Sequence, residues 1–171
     1  MYICRMRKNE HIDILNDSGE VVKAKSPVIV SASRSTDIPA FYADWFFYRL
    51  EKGYSVWVNP FNKVRSYVSY ADTRLIVFWS KNPKHLLMHL DQLEEMNVHT
   101  YIQYTLNDYE KEGLERNVPP LQERIDTFKR LVDRLDSDRV IWRFDPMMLT
   151  DRVSKDDLLG KVEYIGNQLK G

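Results

Sequence analysis

Three short segments hold most of the residues that could do chemistry. The first is Ser31-Ala32-Ser33-Arg34-Ser35-Thr36-Asp37-Ile38-Pro39, where small residues, a guanidinium and a carboxylate precede a helix start signalled by Pro39. Free backbone N–H groups and the helix dipole favour negative charge at such a place, and Arg34 can add a bidentate fork. Asp37 has two readings, a carboxylate of the site or a helix cap, since capping selects the same residue type. Arg34 is read as a site residue, the plainer option being an ion pair with Asp37. The second segment is Phe78-Trp79-Ser80-Lys81-Asn82-Pro83. Strand alternation places Leu75, Val77, Trp79 and Lys81 on one face, so Lys81 leaves the strand end on the side of the Trp79 indole. A lysine there serves as a rim charge or a point contact to an anion; imine chemistry would require a desolvated apolar pocket.

The third segment is Trp142-Arg143-Phe144-Asp145-Pro146. Period two places Ile141, Arg143 and Asp145 on one face and Val140, Trp142 and Phe144 on the other, under the helices. Two charged residues at successive inward positions are either a structural bridge or part of a pocket, because burying them unpaired is costly. The same alternation sends Gln103 and Thr105, with Asn59 from another strand end, towards the same rim. Ser31 and Ser33 join them from the first segment.

These positions require a framework of strands and helices. Ile12 and Ile14 alternate with polar residues up to Asn16-Asp17-Ser18-Gly19, and Val21 and Val22 follow, which predicts an N-terminal β-hairpin within residues 1–26. From Pro27 onward, short apolar strands alternate with segments of helical period, the pattern of βαβ units and a parallel sheet. Strands are expected at 28–33, 54–59, 75–80, 100–106 and 139–144, with a less regular extended stretch around 64–70. The helix after strand one opens near Pro39, buries Phe41, Trp45, Phe46 and Leu50, and ends at Gly53. Asn82 and Pro83 start a helix carrying Leu86, Leu90, Leu93 and Met96. A further helix places Leu121, Ile125, Phe128, Val132 and Leu135 on one face, after a loop long enough to act as a lid. Ser154 and Asp157 give a capping-box start to the last helix, with Leu158, Val162, Ile165 and Leu169. The expected fold class is α/β: a partial (β/α), TIM-barrel-like parallel sheet of about five β/α units spanning 27–171, behind the hairpin extension. Closing an eight-unit barrel takes typically about 250 residues, so the reading implies a chain truncated at its C-terminus, or an open fifth strand covered by a second copy or a C-terminal partner.

Composition narrows the function. The 171 residues carry 25 basic and 25 acidic side chains, so no net field draws the protein to nucleic acid or to an anionic membrane. Hydrophobic residues make up 43% and charged ones 29%, as expected of a folded protein. Cys4 is the single cysteine, which excludes an internal disulfide and any thiolate cluster built from this chain alone. With no apolar stretch of signal or membrane-span length, a cytoplasmic location is expected. His85 and His89 lie four apart on a helix, yet they flank Leu86 and Leu90 without an acidic metalloprotease motif, so solvent exposure is expected rather than metal binding. Neither a G-x-G-x-x-G or Walker loop nor a G-x-S-x-G elbow occurs. The tyrosines and tryptophans fall mostly at core positions, where packing alone accounts for them.

The three segments, together with Asn59-Pro60-Phe61-Asn62 and Asn117-Val118-Pro119-Pro120, resemble an uncharacterised bacterial family known as domain of unknown function 1848. The resemblance covers most of the chain after Pro27. It implies longer, barrel-like relatives whose C-terminal part bears a cysteine cluster similar to the iron–sulfur site of radical S-adenosylmethionine enzymes. Cys4 matches none of those cysteines, so no iron–sulfur cofactor or radical activity carries over to these residues. Ser35 stands where the family more usually has a second arginine, which weakens an anion site. The leading expectation is an enzyme part whose strand-end residues Arg34, Asp37, Lys81, Arg143 and Asp145 act on a small anionic substrate or cofactor. Ser31, Ser33, Asn59, Trp79, Gln103 and Thr105 would contact it. The rival is a non-catalytic module for phosphate ligands or single-stranded nucleic acid, with Trp79 stacking on bases.

Overall fold

A computed structural model describes residues 11–33, 36–59 and 61–170. It is a mixed α/β structure with two four-stranded sheets. The first is mixed and the second all parallel.

In the first sheet β1 (His11–Leu15) and β2 (Val21–Lys25) form the expected hairpin, in register from His11 opposite Lys25 to Leu15 opposite Val21. Its turn is held by the Asn16 side chain, which accepts from the Ser18 and Glu20 amides, and by Gly19, whose φ of 78° suits a residue without a Cβ. The hairpin continues into β5 (Arg65–Ser69), parallel to β2, and β5 pairs antiparallel with β4 (Tyr54–Val58). Arg49 ties this sheet to the helix before it. The guanidinium donates to the Tyr54 carbonyl at 3.0 Å and to Asp17 at 2.9 Å, and lies 4.3 Å over the Tyr54 ring.

The placement of β4 corrects the expectation of five parallel strands in one barrel-like sheet. A parallel neighbour needs a crossover of a dozen or more residues. The link between Asn59 and Val64 is too short for one; on it Lys63 takes a φ of 59° and its amide donates to the Asn59 carbonyl. The second strand therefore folds back on β5 in the other sheet. No closed barrel is formed among the described residues.

The parallel sheet comprises β3 (Ile29–Ser31), β6 (Leu75–Ser80), β7 (His99–Thr105) and β8 (Val140–Arg143). One face is a continuous core: Ile76, Phe78, Ile102, Tyr104 and Val140 are nearly solvent-free. They pack against Phe46, Phe47 and Leu50 of α2 (Ala43–Glu51), Leu90 and Leu93 of α3 (Leu90–Glu95), Ile125, Phe128, Leu131 and Leu135 of α4 (Leu121–Leu135), and Ile165 of α5 (Lys155–Leu169). Each fully buried apolar side chain of this size contributes about 1.5–3 kcal/mol relative to exposure. The opposite face is only partly covered, with Ile29 59% and Trp79 42% exposed.

Local details depart from the sequence pattern in three places. The helix after β3 is broken at Tyr42 into α1 (Ile38–Phe41) and α2, which resets the helical phase. The buried stripe becomes Ala43, Phe46, Phe47 and Leu50, and Phe41 and Trp45 turn outward. The segment from Pro83 begins as a 3₁₀ turn, Pro83–Met88, before α3, with Asn82 at its start but making no side-chain cap. Met96 is exposed at the end of α3, whereas Leu86, Leu90 and Leu93 are buried as expected. The capping box of α5 forms: the Asp157 amide donates to Ser154 Oγ at 3.2 Å and the Ser154 amide to Asp157 at 2.9 Å. No helix among the described residues is long and apolar enough to cross a membrane.

Candidate functional site

Four parallel strands end side by side; residues at the carboxyl ends of β3, β6 and β7 line a cleft of about 290 Å³ (Ser33, Thr36, Asp37, Trp79, Ser80, Lys81 and Thr105), and the end of β8 adjoins it through contacts with Trp79 and Thr105. Register explains the convergence. Trp79 lies beside Gln103 and Thr105 beside Arg143 in adjacent strands, so side chains of like parity project from the face opposite the helices.

Arg143 and Asp145 form an ion pair of 2.7 Å, and both remain partly solvated, with side chains 29% and 45% exposed. The guanidinium also donates to Gln103 Oε1 at 3.2 Å and stacks 4.6 Å from the centre of the Trp79 ring. Asp145 accepts from Thr105 Oγ1 at 3.2 Å, and its carbonyl accepts from Asn107 Nδ2 at 3.0 Å. Behind the strand, Trp142 Nε1 donates to the Leu106 carbonyl at 2.7 Å, and Trp142 and Phe144 pack edge to face. Arg143, Asp145, Gln103, Thr105 and Trp79 are thus one connected group.

Asp37 holds the other side of the cleft. Its Oδ1 accepts from the Ala40 amide at 3.0 Å, capping α1, and its Oδ2 accepts from the Lys81 amide at 2.8 Å, binding the helix start to the end of β6. Both oxygens serve the backbone, so the capping role is present in the geometry. Lys81 pairs through its ammonium with Glu115. Ser33 Oγ is buried without a partner among the described residues, and Ser31 is exposed at the end of β3. Arg34 and Ser35 lie outside the described residues. Asn59 is not part of this rim: it sits at the β4–β5 turn of the other sheet, where its side chain accepts from the Phe61 amide at 2.9 Å. The reason is the changed partner of β4. His85 is exposed, while His89 is half-buried, its ring stacked 4.0 Å from Phe47 and 3.3 Å from Asp44.

The β7–α4 connection, residues 106–120, brings residues that the sequence reading did not single out. Tyr109 is buried and donates to the Pro146 carbonyl at 2.7 Å; Asn107 is fully buried; Lys161 holds Glu112 and the Asp108 carbonyl, each at 2.7 Å. Beneath the connection Arg124 is 2% exposed, and burial holds its guanidinium below the ordinary arginine range. The Tyr104 hydroxyl, pushed up by burial, donates to the Arg124 carbonyl at 3.1 Å. A signal for Arg124 was present: Leu121, Arg124, Ile125, Phe128, Leu131 and Leu135 follow one helical stripe. Glu115 has no such periodic signal.

An α/β chain with a polar cleft at the carboxyl ends of a parallel sheet is therefore the class that fold and site define. Residues 29–171 match the family described as Domain of unknown function (DUF1848), and the chain belongs to that family. No curated protein matches it, and no solved structure does. The iron–sulfur centre implied for longer relatives needs several thiolates. With one cysteine in the sequence, at a position outside the described residues, and no group of three or more metal-binding side chains among the described ones, the residues present do not fit such a cluster.

Proposed function

We propose that the parallel sheet is a segment of a β/α-barrel-type enzyme and that the cleft at its carboxyl edge binds a small anionic substrate or cofactor. The carrying observation is that β3, β6, β7 and β8 lie side by side in chain order and all deliver polar groups to one rim, where Arg143 is laid over a partly exposed Trp79. Ligands in open parallel α/β folds bind at this edge. A sheet covered by helices on one face and half open on the other matches the wall of a barrel, whose inner face is closed by other strands.

The chemistry of the group supports an anion. A guanidinium has five N–H donors, and Gln103 and Asp145 engage Nη1 and Nη2 only, so donors remain for a carboxylate or phosphate. The part of the Trp79 ring left exposed beside Arg143 offers a surface for a planar part of the same molecule. Asp145, aligned by Arg143 and Thr105, supplies a carboxylate for proton transfer beside the bound ligand.

Titration with inorganic phosphate, citrate and adenosine monophosphate at low salt, followed by tryptophan fluorescence and calorimetry, tests the reading. Binding that Trp79→Phe makes fluorescence-silent and Arg143→Ala weakens at least tenfold is expected. Absence of binding by all three probes, or binding that neither substitution changes, overturns it. Tight binding confined to oligonucleotides, falling steeply with salt, would favour a single-stranded nucleic-acid module instead.

A further inference from the structure

The cation nearest the cleft on its α4 side is already in contact with an anion of the chain's own. Glu115 is buried to 13% exposure, with Oε1 against the Lys81 ammonium and Oε2 without a partner among the described residues. Under the same loop, Arg124 sits in the first turns of the 15-residue helix α4, its Nε and Nη1 lacking partners among the described residues and its Nη2 4.0 Å from Glu110. Glu115, Glu110 and Asp108 are the acids whose fields reach it. A buried guanidinium with so few hydrogen bonds is unusual, because a desolvated charge is normally satisfied by several. Glu110 in turn accepts from the Leu121 amide at the helix start. Carboxylates of one loop thus stand where an exogenous oxyanion would be drawn by two cations and a helix N-terminus.

The two halves of the loop are held differently. Residues 107–112 are fixed by the buried Asn107 and Tyr109 and by the Lys161–Glu112 pair. Beyond Gly113, at φ 68°, Glu115 is the only residue of 113–120 whose side chain makes a hydrogen bond among the described residues, and Leu114, Arg116 and Asn117 are exposed.

We propose that residues 113–118 form a displaceable strap and that Glu115 is the built-in occupant of an oxyanion subsite made by Lys81 and Arg124. The inference rests on the reading of the cleft as an anion site and adds its regulation. A carboxylate or phosphate group of the ligand replaces the Glu115 carboxylate on Lys81, gains the unpartnered N–H groups of Arg124, and frees the strap about Gly113. The apparent affinity of the unliganded protein is lowered by the fraction of time the strap is closed.

The test is calorimetric titration of the full chain with inorganic phosphate. Glu115→Gln is expected to bind about tenfold more tightly than wild type, the factor for a strap closed about nine-tenths of the time. Adding Arg124→Gln, or Lys81→Met should the arginine variant not fold, abolishes the gain. Hydrogen exchange of the wild type should show phosphate accelerating exchange at 113–118 while 107–112 stays protected. Equal or weaker phosphate binding by Glu115→Gln, or no response of the strap amides, overturns the proposal. If Arg143→Ala still weakens binding in that case, the cleft reading survives alone. If Glu115→Gln tightens binding and Arg143→Ala has no effect, the strap stands and the rim assignment falls.

Discussion

Replacing Arg143 with alanine separates a structural bridge from a site residue, and the structure sets the size of the effect. The substitution removes an ion pair of 2.7 Å, a hydrogen bond of 3.2 Å to Gln103 and a stack on Trp79. With the pair's side chains 29% and 45% exposed, solvent screens the attraction, and such pairs contribute about 0.2–1 kcal/mol. The hydrogen bond and the cation–π contact add about 1 and 0.5 kcal/mol, less whatever water recovers. A total near 2 kcal/mol follows, or a fall in Tm of roughly 4–8 °C for a chain of this size. A buried bridge broken on one side would lose about 3–5 kcal/mol, much of it regained when both charges are removed. Urea denaturation of Arg143→Ala, Asp145→Ala and the double variant measures the coupling directly. A single-variant loss above about 3 kcal/mol that the double variant rescues, with unchanged phosphate affinity in Arg143→Ala, would show that the pair is scaffolding.

Three further outcomes follow from other parts of the fold. Arg49→Ala should destabilise by about 3 kcal/mol in urea, because the buried guanidinium joins the Tyr54 carbonyl, the Tyr54 ring and Asp17, and the loss should appear first in amide exchange of the hairpin. Contacts with the Tyr54 hydroxyl and the Arg49 guanidinium hold the Asp17 carboxyl below the ordinary aspartate range. The stabilisation is therefore present above the unfolded value of about 3.9 and is lost as pH falls through the lower folded value; acid melts of Asp17→Asn should lack this component. Gly160→Ala in α5 should raise stability by about 1 kcal/mol, since a Cβ there meets nothing within 4 Å and alanine is the better helix former; an unchanged or lowered Tm would contradict this.

The faces of the strands could be read from alternation alone, because period two is a local property and each strand has one face against the helices. Thus Trp142 and Phe144 were placed against the core and Arg143 and Asp145 away from it. The sheet to which a strand belongs is not local. The run from Tyr54 to Val58 reads as a strand in either sheet, and only the shortness of the link to Arg65, with no helix in it, distinguishes a hairpin from a crossover. That cue was present and was outweighed by the repeating β/α pattern, which carried Asn59 to the wrong rim. The break at Tyr42 has no residue signal as plain as a glycine or proline, so the phase of α2 could not be foreseen. Arg124 was hidden for a different reason: its charge masked its position on a buried stripe.

The pairing of β2 with β5 has a practical outcome for anyone trimming the chain. The family-matched stretch, residues 29–171, contains β5 but not β2, whose Ala24 and Lys25 lie opposite Tyr67 and Val68. A fragment cut to those bounds would carry β5 as a bare edge beside the exposed Trp57 and Val58 of β4. Unsatisfied N–H and C=O groups next to aromatic and branched side chains recruit strands from other molecules. The excised fragment should therefore self-associate and precipitate on expression, whereas one that keeps the hairpin should not.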